Sequence, residues 1–340
     1  MLKDLCGTTY NLSCIGVAIM EFIFLGTSSG TPTKTRNVSG IAVKMASSKS
    51  WYLVDCGEGT QHQILHTKLS LNTLKVIFIT HVHGDHCYGL PGLLATATML
   101  GRTAPLIIIG PSVIKEFVET IQQITQMKLS YEINFINVET VSELIDIKQF
   151  DIEVVHLSHR VASFAYSFIE KNLKAKLNIY KLKQDGIEAG PAWGHIQHGK
   201  DVLLPNGTKL KSKDYLLKTR KPRKIIVSGD NDNPSLLTES AKQANVLIHE
   251  ATYTEYVAEK VGKVPQHSSA KIVAQFASDT SIPNLILTHF SPRYQDNGSI
   301  TEIEREARNF YDGNLFLADD FDLFHLNIDG TLDKVKSCTN

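Results

Sequence analysis

The 340-residue chain lacks net charge, because 35 lysines and arginines balance 35 aspartates and glutamates. A uniformly basic surface, a common footprint of nucleic-acid binders, is therefore excluded. Long apolar runs are missing too. None reaches the ~18 residues of a membrane-spanning helix, so no membrane partner is expected. Residues 12–20 are mildly apolar but too short and poorly flanked for a secretory signal. Cysteine is scarce: Cys6, Cys14, Cys56, Cys87 and Cys338 are scattered, odd in number and never spaced Cys-x-x-Cys. That excludes a disulfide framework and points to reduced thiols in the cytoplasm. An apolar content of 42% and a charged content of 21% are those of a globular protein with a sizeable core, in one large domain or two.

Histidine, by contrast, is concentrated. The run Val76-Ile77-Phe78-Ile79 reads as a buried strand. Directly after it comes Thr80-His81-Val82-His83-Gly84-Asp85-His86, and then a turn and a helix start at Gly89-Leu90-Pro91-Gly92. A loop leaving a rigid strand can point several side chains at one spot. His81 and His83 are two apart and face the same way off an extended backbone, and Gly84 swings Asp85 and His86 around. Imidazoles with a carboxylate suit zinc or a similar divalent metal. Four such groups in one loop are enough to begin two metal sites. Further ligands are expected at other strand ends, and His159, Asp230 and His289 follow the apolar runs 150–155, 224–227 and 284–287. His156 rivals His159 for the same role. Cys87 is read as a packed residue.

The zero net charge hides an asymmetry. Residues 169–224 carry 14 lysines and arginines against 5 aspartates and glutamates, a local excess of nine positive charges. A compact basic segment on an acidic body suggests a polyanion bound at one place; an ordinary solvated lysine-rich surface is the plainer alternative.

Along the chain, strands are expected at 21–25, 41–45, 51–54, 105–110, 131–138, 150–155, 162–169, 224–227, 246–249, 284–287, 315–318 and 321–326. Helices are expected at 60–65, 112–124, 234–244, 270–278 and 300–310. Strands with interspersed helices, followed by the same mixture again, suggest two packed sheets with helices outside.

The residues around the metal loop narrow this reading. Phe24-Leu25-Gly26-Thr27, Pro32-Thr33-Lys34-Thr35-Arg36-Asn37, Asp55-Cys56-Gly57-Glu58-Gly59-Thr60-Gln61 and Gly89-Leu90-Pro91-Gly92-Leu93, together with His81-Val82-His83-Gly84-Asp85-His86, resemble the ribonuclease Z family of the metallo-β-lactamase superfamily. The resemblance runs from about residue 20 to 327, nearly the whole chain, and is to the short, single-domain form. It implies an α/β fold, an αββα sandwich with its site at one edge between the sheets. The domain would span 20–330, with an inserted tRNA-binding arm at 169–199, an upstream extension at 1–19 with Met20 as the true start, and a tail at 331–340.

The same resemblance implies a residue-by-residue site. His81, His83 and His159 would hold one zinc; Asp85, His86 and His289 a second; Asp230 would bridge them. Manganese or another divalent metal is a possible substitute. Arg160 stands where the family pattern usually has glycine. Asp85 would accept the proton of the water between the two metals, whose hydroxide attacks the phosphodiester. Asp55 would orient a ligand histidine. His267, oriented by Glu250, would protonate the leaving oxygen. Lys34, Arg36 and Asn37 would contact the acceptor end, and Lys171, Lys174, Lys176, Lys181 and Lys183, with the Gly190-Pro191 marker, would grip the tRNA elbow. Trp193, His195 and His198 in the arm take no assigned role. The implied activity is endonucleolytic removal of the 3′ trailer from precursor tRNA after the discriminator base, leaving a 3′ hydroxyl, by a homodimer. A small-molecule metallohydrolase of the same superfamily (thioesterase, phosphodiesterase or sulfatase-like) and a non-catalytic RNA-binding relative are the competing readings.

Overall fold

The computed structural model describes residues 19–171, 173, 176–204, 206–217, 220–295 and 299–335. Apolar strands covered on both faces build its layers. The first sheet contains β1 (Met20–Gly26), β2 (Gly40–Met45), β3 (Trp51–Val54), β4 (Leu74–Phe78), β5 (Leu106–Gly110) and β6 (Ile133–Asn137). Its other edge is closed by β16 (Leu323–Leu326) and β17 (Leu332–Val335), in the order β17-β16-β1-β2-β3-β4-β5-β6. The second sheet contains β7 (Ile145–Asp146), β8 (Phe150–Leu157), β9 (Ser163–Glu170), β12 (Lys224–Val227), β13 (Val246–Glu250), β14 (Asn284–Thr288) and β15 (Asn314–Leu317), in the order β15-β14-β13-β12-β9-β8-β7. A small hairpin, β10 (Val202–Leu203) and β11 (Lys209–Leu210), stands apart.

In β4, Val76 and Phe78 face the second sheet and meet Tyr166 and Phe168, whereas Ile77 turns outward toward Leu90, Leu93 and Leu94. In β13, Val246 and Ile248 face inward and Leu247 packs outward with Val273 and Phe276. Successive side chains facing opposite ways on both sheets make one core between them and one under each helical layer, the expected αββα order. Each fully buried side chain of this size contributes roughly 1.5–3 kcal/mol. Strands β3 to β6 run parallel, as do β12 to β15. Their carboxyl ends therefore deliver loops to common edges.

Three sequence expectations need revision. The segment after 330 is not only a tail, because β17 pairs with β16 from Leu332 to Val335. The helix expected at 234–244 is a 3-10 turn, Pro234–Leu237, and a short helix, Thr238–Ala241. The inserted arm does not end at 199: Leu182, Ile187 and Ile196 share a small core with Leu210 and Tyr215. The excursion leaves after Glu170 and returns at Arg223, where these two residues are joined by backbone and side-chain bonds. The proposed extension 1–19 and Lys174 lie outside the described residues, apart from Ile19, whose carbonyl accepts from Ala46. Met20 is buried inside β1.

Candidate metal centre and acid–base pair

The histidine loop starts where β4 ends. Beyond Ile79 the chain turns, and Gly84–Cys87 forms one helical turn that carries Asp85 and His86. Two glycines allow this packing. A Cβ on Gly57 would lie 2.3 Å from the Asp85 carbonyl oxygen, and one on Gly229 would lie 2.7 Å from the Thr80 Cβ. The first lets the turn after β3 lie against the histidine loop; the second brings the end of β12 beside it.

Seven side chains converge. His81, His83, His159 and Asp230 present ligand atoms within 4.8 Å of one another, as do Asp85, His86 and His289. In the first group, the Nδ1 of His83 lies 3.1 Å from the Nε2 of His81 and 3.1 Å from the Nε2 of His159. In the second, the Nε2 atoms of His86 and His289 are 3.2 Å apart, and the Asp85 Oδ2 lies 3.5 and 3.3 Å from them. Asp230 faces both groups. Its Oδ2 is 3.5 Å from His81 and 3.7 Å from His159, and its Oδ1 is 3.5 Å from His86 and 3.4 Å from His289.

These separations test whether the donors fit a metal. Zinc–nitrogen bonds of 2.0–2.1 Å in a tetrahedron put neighbouring donor atoms ~3.3 Å apart. The observed 3.1–3.5 Å contacts match that edge. Imidazole nitrogens facing one another so closely cannot both carry protons, so their lone pairs converge on common points. The donor set fits a divalent-metal site.

The far sides of four of these rings are held. His86 Nδ1 lies 2.7 Å from Asp55 Oδ2, and the same carboxylate accepts the Thr80 N–H at 2.8 Å and its hydroxyl at 2.9 Å. His159 Nδ1 donates to the Gln266 carbonyl at 2.8 Å. His81 Nδ1 is 3.0 Å from the Thr80 hydroxyl, and His289 Nδ1 is 3.1 Å from that of Thr252. Such partners fix which nitrogen points at the metal.

Protonation follows this arrangement. Burial lowers the pKa of His81, His83 and His159, and neighbouring imidazoles lower it further, so all three are neutral donors. Burial opposes ionisation of Asp85, but His86 and His289 outweigh it and hold its carboxyl far below the usual carboxylate range. His86 is the exception. Burial lowers it, yet Asp85, Asp230 and Asp55 together raise it well above the ordinary value. A bound cation would displace that proton.

Beside the metal centre, His267 Nδ1 lies 3.0 Å from Glu250 Oε1. Glu250 also accepts the N–H groups of Asn231, Thr252 and Ser268 at 3.1–3.2 Å. Burial lowers His267, but the carboxylates of Glu250 and Asp230 raise it to about 9. His267 is also the third member of a group with Asp230 and His289, so proximity alone would admit it as a ligand. Its bond to Glu250 favours an acid held by a carboxylate.

His156, the rival of His159, lies within β8, exposed, with its ring against Phe164 at 4.5 Å. Cys87 is buried and donates to the Val82 carbonyl, and burial pushes its thiol up to about 12. Neither belongs to the site. Thr80, Thr252, Asn231 and the carbonyl of Gln266 are supporting groups that no spacing in the sequence marks out.

The outer residues divide. Lys34 is exposed. Arg36 turns inward, bonding the Thr27 hydroxyl, the Ala318 carbonyl and Asp319, and so anchors its loop. Asn37 donates to the Glu58 carbonyl at 3.0 Å. Gly30 of this loop donates its N–H to Asp85 Oδ2 at 2.7 Å. In the arm, Lys171 pairs with Asp146 and Asp151, and Lys181 donates to the Asp214 carbonyl, whereas Lys176 and Lys183 are exposed. Gly190-Pro191 opens the helix Pro191–Gln197. Trp193 packs on the arm's core and donates to the Ile187 carbonyl; His195 and His198 are exposed.

Comparison with known proteins agrees with this architecture. A family model described as anti-Pycsar protein Apyc1 matches residues 20–177. The ribonuclease Z of Marinobacter nauticus is 53% identical over 320 residues, covering 93% of this chain and 99% of that protein. The crystal structure of the short form of human tRNase Z is 25% identical, with a TM-score of 0.61, covering 89% of this chain and 98% of that one. The metallo-β-lactamase fold protein YhfI of Bacillus subtilis is similar in fold, with a TM-score of 0.62 at 17% identity, covering 90% of this chain and 99% of that one. With paired histidine–carboxylate clusters between two sheets and likeness to such relatives over nearly its full length, the chain is a metallo-β-lactamase-fold enzyme of the ribonuclease Z family.

Proposed function

We propose that the chain is an endoribonuclease that removes the 3′ trailer from tRNA precursors, cutting after the discriminator base and leaving a 3′ hydroxyl. The observation that carries this reading is Asp230, one oxygen toward each histidine cluster, with the His267–Glu250 pair immediately beside it. His81, His83 and His159 would hold one zinc, Asp85, His86 and His289 the other, and Asp230 both; manganese could substitute. When bound, the two metals would supply Lewis acidity and a water activated at neutral pH.

The chain's own groups supply the rest. Asp85, ionised and fixed by the Gly30 N–H, accepts the proton of the attacking water. His267, protonated and held by Glu250, gives a proton to the departing 3′ oxygen. Asp55 keeps His86 in the tautomer that ligates through Nε2. Exposed Lys34, Lys176 and Lys183 contact phosphates, and the arm (169–199 with its continuation to 223) grips the tRNA body. The enzyme works in the cytoplasm, consistent with its unpaired buried thiols, as a homodimer whose arms serve neighbouring sites. No helix among the described residues is long and apolar enough to cross a membrane.

Turnover of a 3′-extended tRNA set against turnover of a small thioester and a small lactam tests this. Selective processing of the tRNA is expected. Faster hydrolysis of a small substrate, with the tRNA untouched, would assign a small-molecule hydrolase instead.

A further inference from the structure

Two side chains beyond the acid–base pair stand at the rim of the metal centre. Tyr253 follows the Glu250–Thr252 segment. Its carbonyl accepts the Ala270 N–H at 2.8 Å, and its backbone bridges to Ser269, so it is tied to the segment carrying His267. Its half-buried ring meets the His267 imidazole edge-on, with centroids 6.1 Å apart. Arg293 lies on the same ring, its guanidinium carbon 5.1 Å from the centroid. Its Nε donates to the Ser291 hydroxyl at 3.1 Å, two residues beyond His289. The guanidinium is exposed and has no carboxylate partner among the described residues. A second guanidinium, that of the exposed Arg160, acts electrostatically on both His83 and Tyr253.

We propose that Tyr253 and Arg293 form a stacking platform for the base of the nucleotide whose 3′ oxygen leaves, the nucleotide on the tRNA side of the cut. This rests on the reading of the chain as a tRNA 3′ endonuclease with His267 as the acid. The contact with His267 fixes the side: a group beside the acid faces the nucleotide whose oxygen receives the proton. A guanidinium plane backed by an aromatic ring presents a flat, charged surface to a nucleobase. Such stacking accepts any base, because every base has a π-face. An enzyme acting on many precursors needs a grip of that kind. Tyr253 and Arg293 are substrate-positioning groups here, distinct from the arm, which acts at a distance from the cut.

The test uses the full-length, metal-loaded enzyme and three substrates: a 3′-extended tRNA, the same RNA abasic immediately 5′ of the cut, and the same RNA abasic immediately 3′ of it. For the unaltered enzyme, removing the 5′ base should lower kcat/KM by about tenfold to a hundredfold. Arg293→Ala and Tyr253→Leu should lose a similar factor on the intact precursor and become insensitive to removal of the 5′ base. Tyr253→Phe keeps the ring and should keep the sensitivity. Arg293→Lys keeps the charge without the plane and should behave like Arg293→Ala. Metal content and melting temperature monitor the fold, and the abasic comparison in the unaltered enzyme requires no variant. Four results would overturn the platform: equal rates on intact and 5′-abasic RNA, full rescue by lysine, variants as sensitive as the parent, or coupling to the 3′ base instead. Failure of the unaltered enzyme to cut any precursor would refute the underlying function, a different outcome from cutting without base dependence.

Discussion

Asp55→Asn isolates the part of the site that no ligand count reveals. Asp55 has a φ of 60°, a left-handed conformation that asparagine tolerates, so the change adds no backbone strain. The side chain keeps its size and loses only its charge and one acceptor. In the native site Oδ1 takes the Thr80 N–H and Oδ2 takes His86 Nδ1. An asparagine that keeps its carbonyl on the Thr80 N–H must turn its NH2 to His86. Nδ1 then becomes the acceptor, the proton moves to Nε2, and the nitrogen facing Asp85 and His289 can no longer bind a cation. The opposite orientation sets the NH2 against the Thr80 N–H and leaves a buried donor unpaired, at about 1–3 kcal/mol. Either way, affinity at the cluster of Asp85, His86 and His289 should fall about 10- to 100-fold, or about 1.4–2.7 kcal/mol. Competition against a chromophoric chelator reads this directly, with cleavage measured in parallel. Retention of both metals at native affinity with undiminished turnover would refute the role given to Asp55.

Further outcomes follow from the same geometry. Asp85→Ala should abolish cleavage while leaving tRNA affinity, measured by filter binding, nearly intact; near-normal turnover would remove Asp85 as the proton acceptor. His267→Ala should slow cleavage ~10²–10⁴-fold without emptying the metal centre; loss of metal by elemental analysis would make it a ligand. In the metal-free protein the folded pKa of His267, about 9, lies above its unfolded ~6.5. Its stabilisation is thus complete below ~6.5 and lost as pH rises through about 9, and melting temperature should fall over that window, flattened by His267→Gln. Because Glu170 and Arg223 are bonded across the root of the arm, replacing 172–221 with an Asn-Gly turn should join β9 and β12 as a hairpin. That variant should retain metal and lose tRNA binding, and each lost phosphate contact should lower the log–log salt slope by about 0.7–0.9. Unchanged binding would reduce the basic segment to a solvated surface.

The clustering of these histidines and aspartates was legible because chemistry and local order coincide in them. His81, His83, Asp85 and His86 occupy one loop, and His159, Asp230 and His289 each follow a strand whose apolar run is plain in the sequence. The central strands were readable as short apolar runs, as in Val76, Ile77 and Phe78. Less visible was anything decided by tertiary approach. Thr80 and Thr252 look like ordinary polar residues, and only the packing of the two sheets puts their hydroxyls on the rings of His81 and His289. Arg36 reads as an RNA contact in its motif, yet Asp319, nearly three hundred residues on, draws it inward. The arm's limit was misjudged because Leu210 and Tyr215 join its core across a polar stretch without a strong pattern. The edge strand β17 is short and mostly exposed, so it carries little alternation signal.

The most direct measurement maps the cut. A 3′-extended tRNA is incubated with metal-loaded enzyme, with and without chelator, and the product ends are sequenced and their terminal groups identified. A single cut after the discriminator base is expected, with a 3′ hydroxyl on the tRNA and a 5′ phosphate on the trailer, abolished by chelator and restored by added divalent metal. Cleavage that persists without metal, a 3′ phosphate on the tRNA, or no cleavage by enzyme with both metal sites filled would contradict the account.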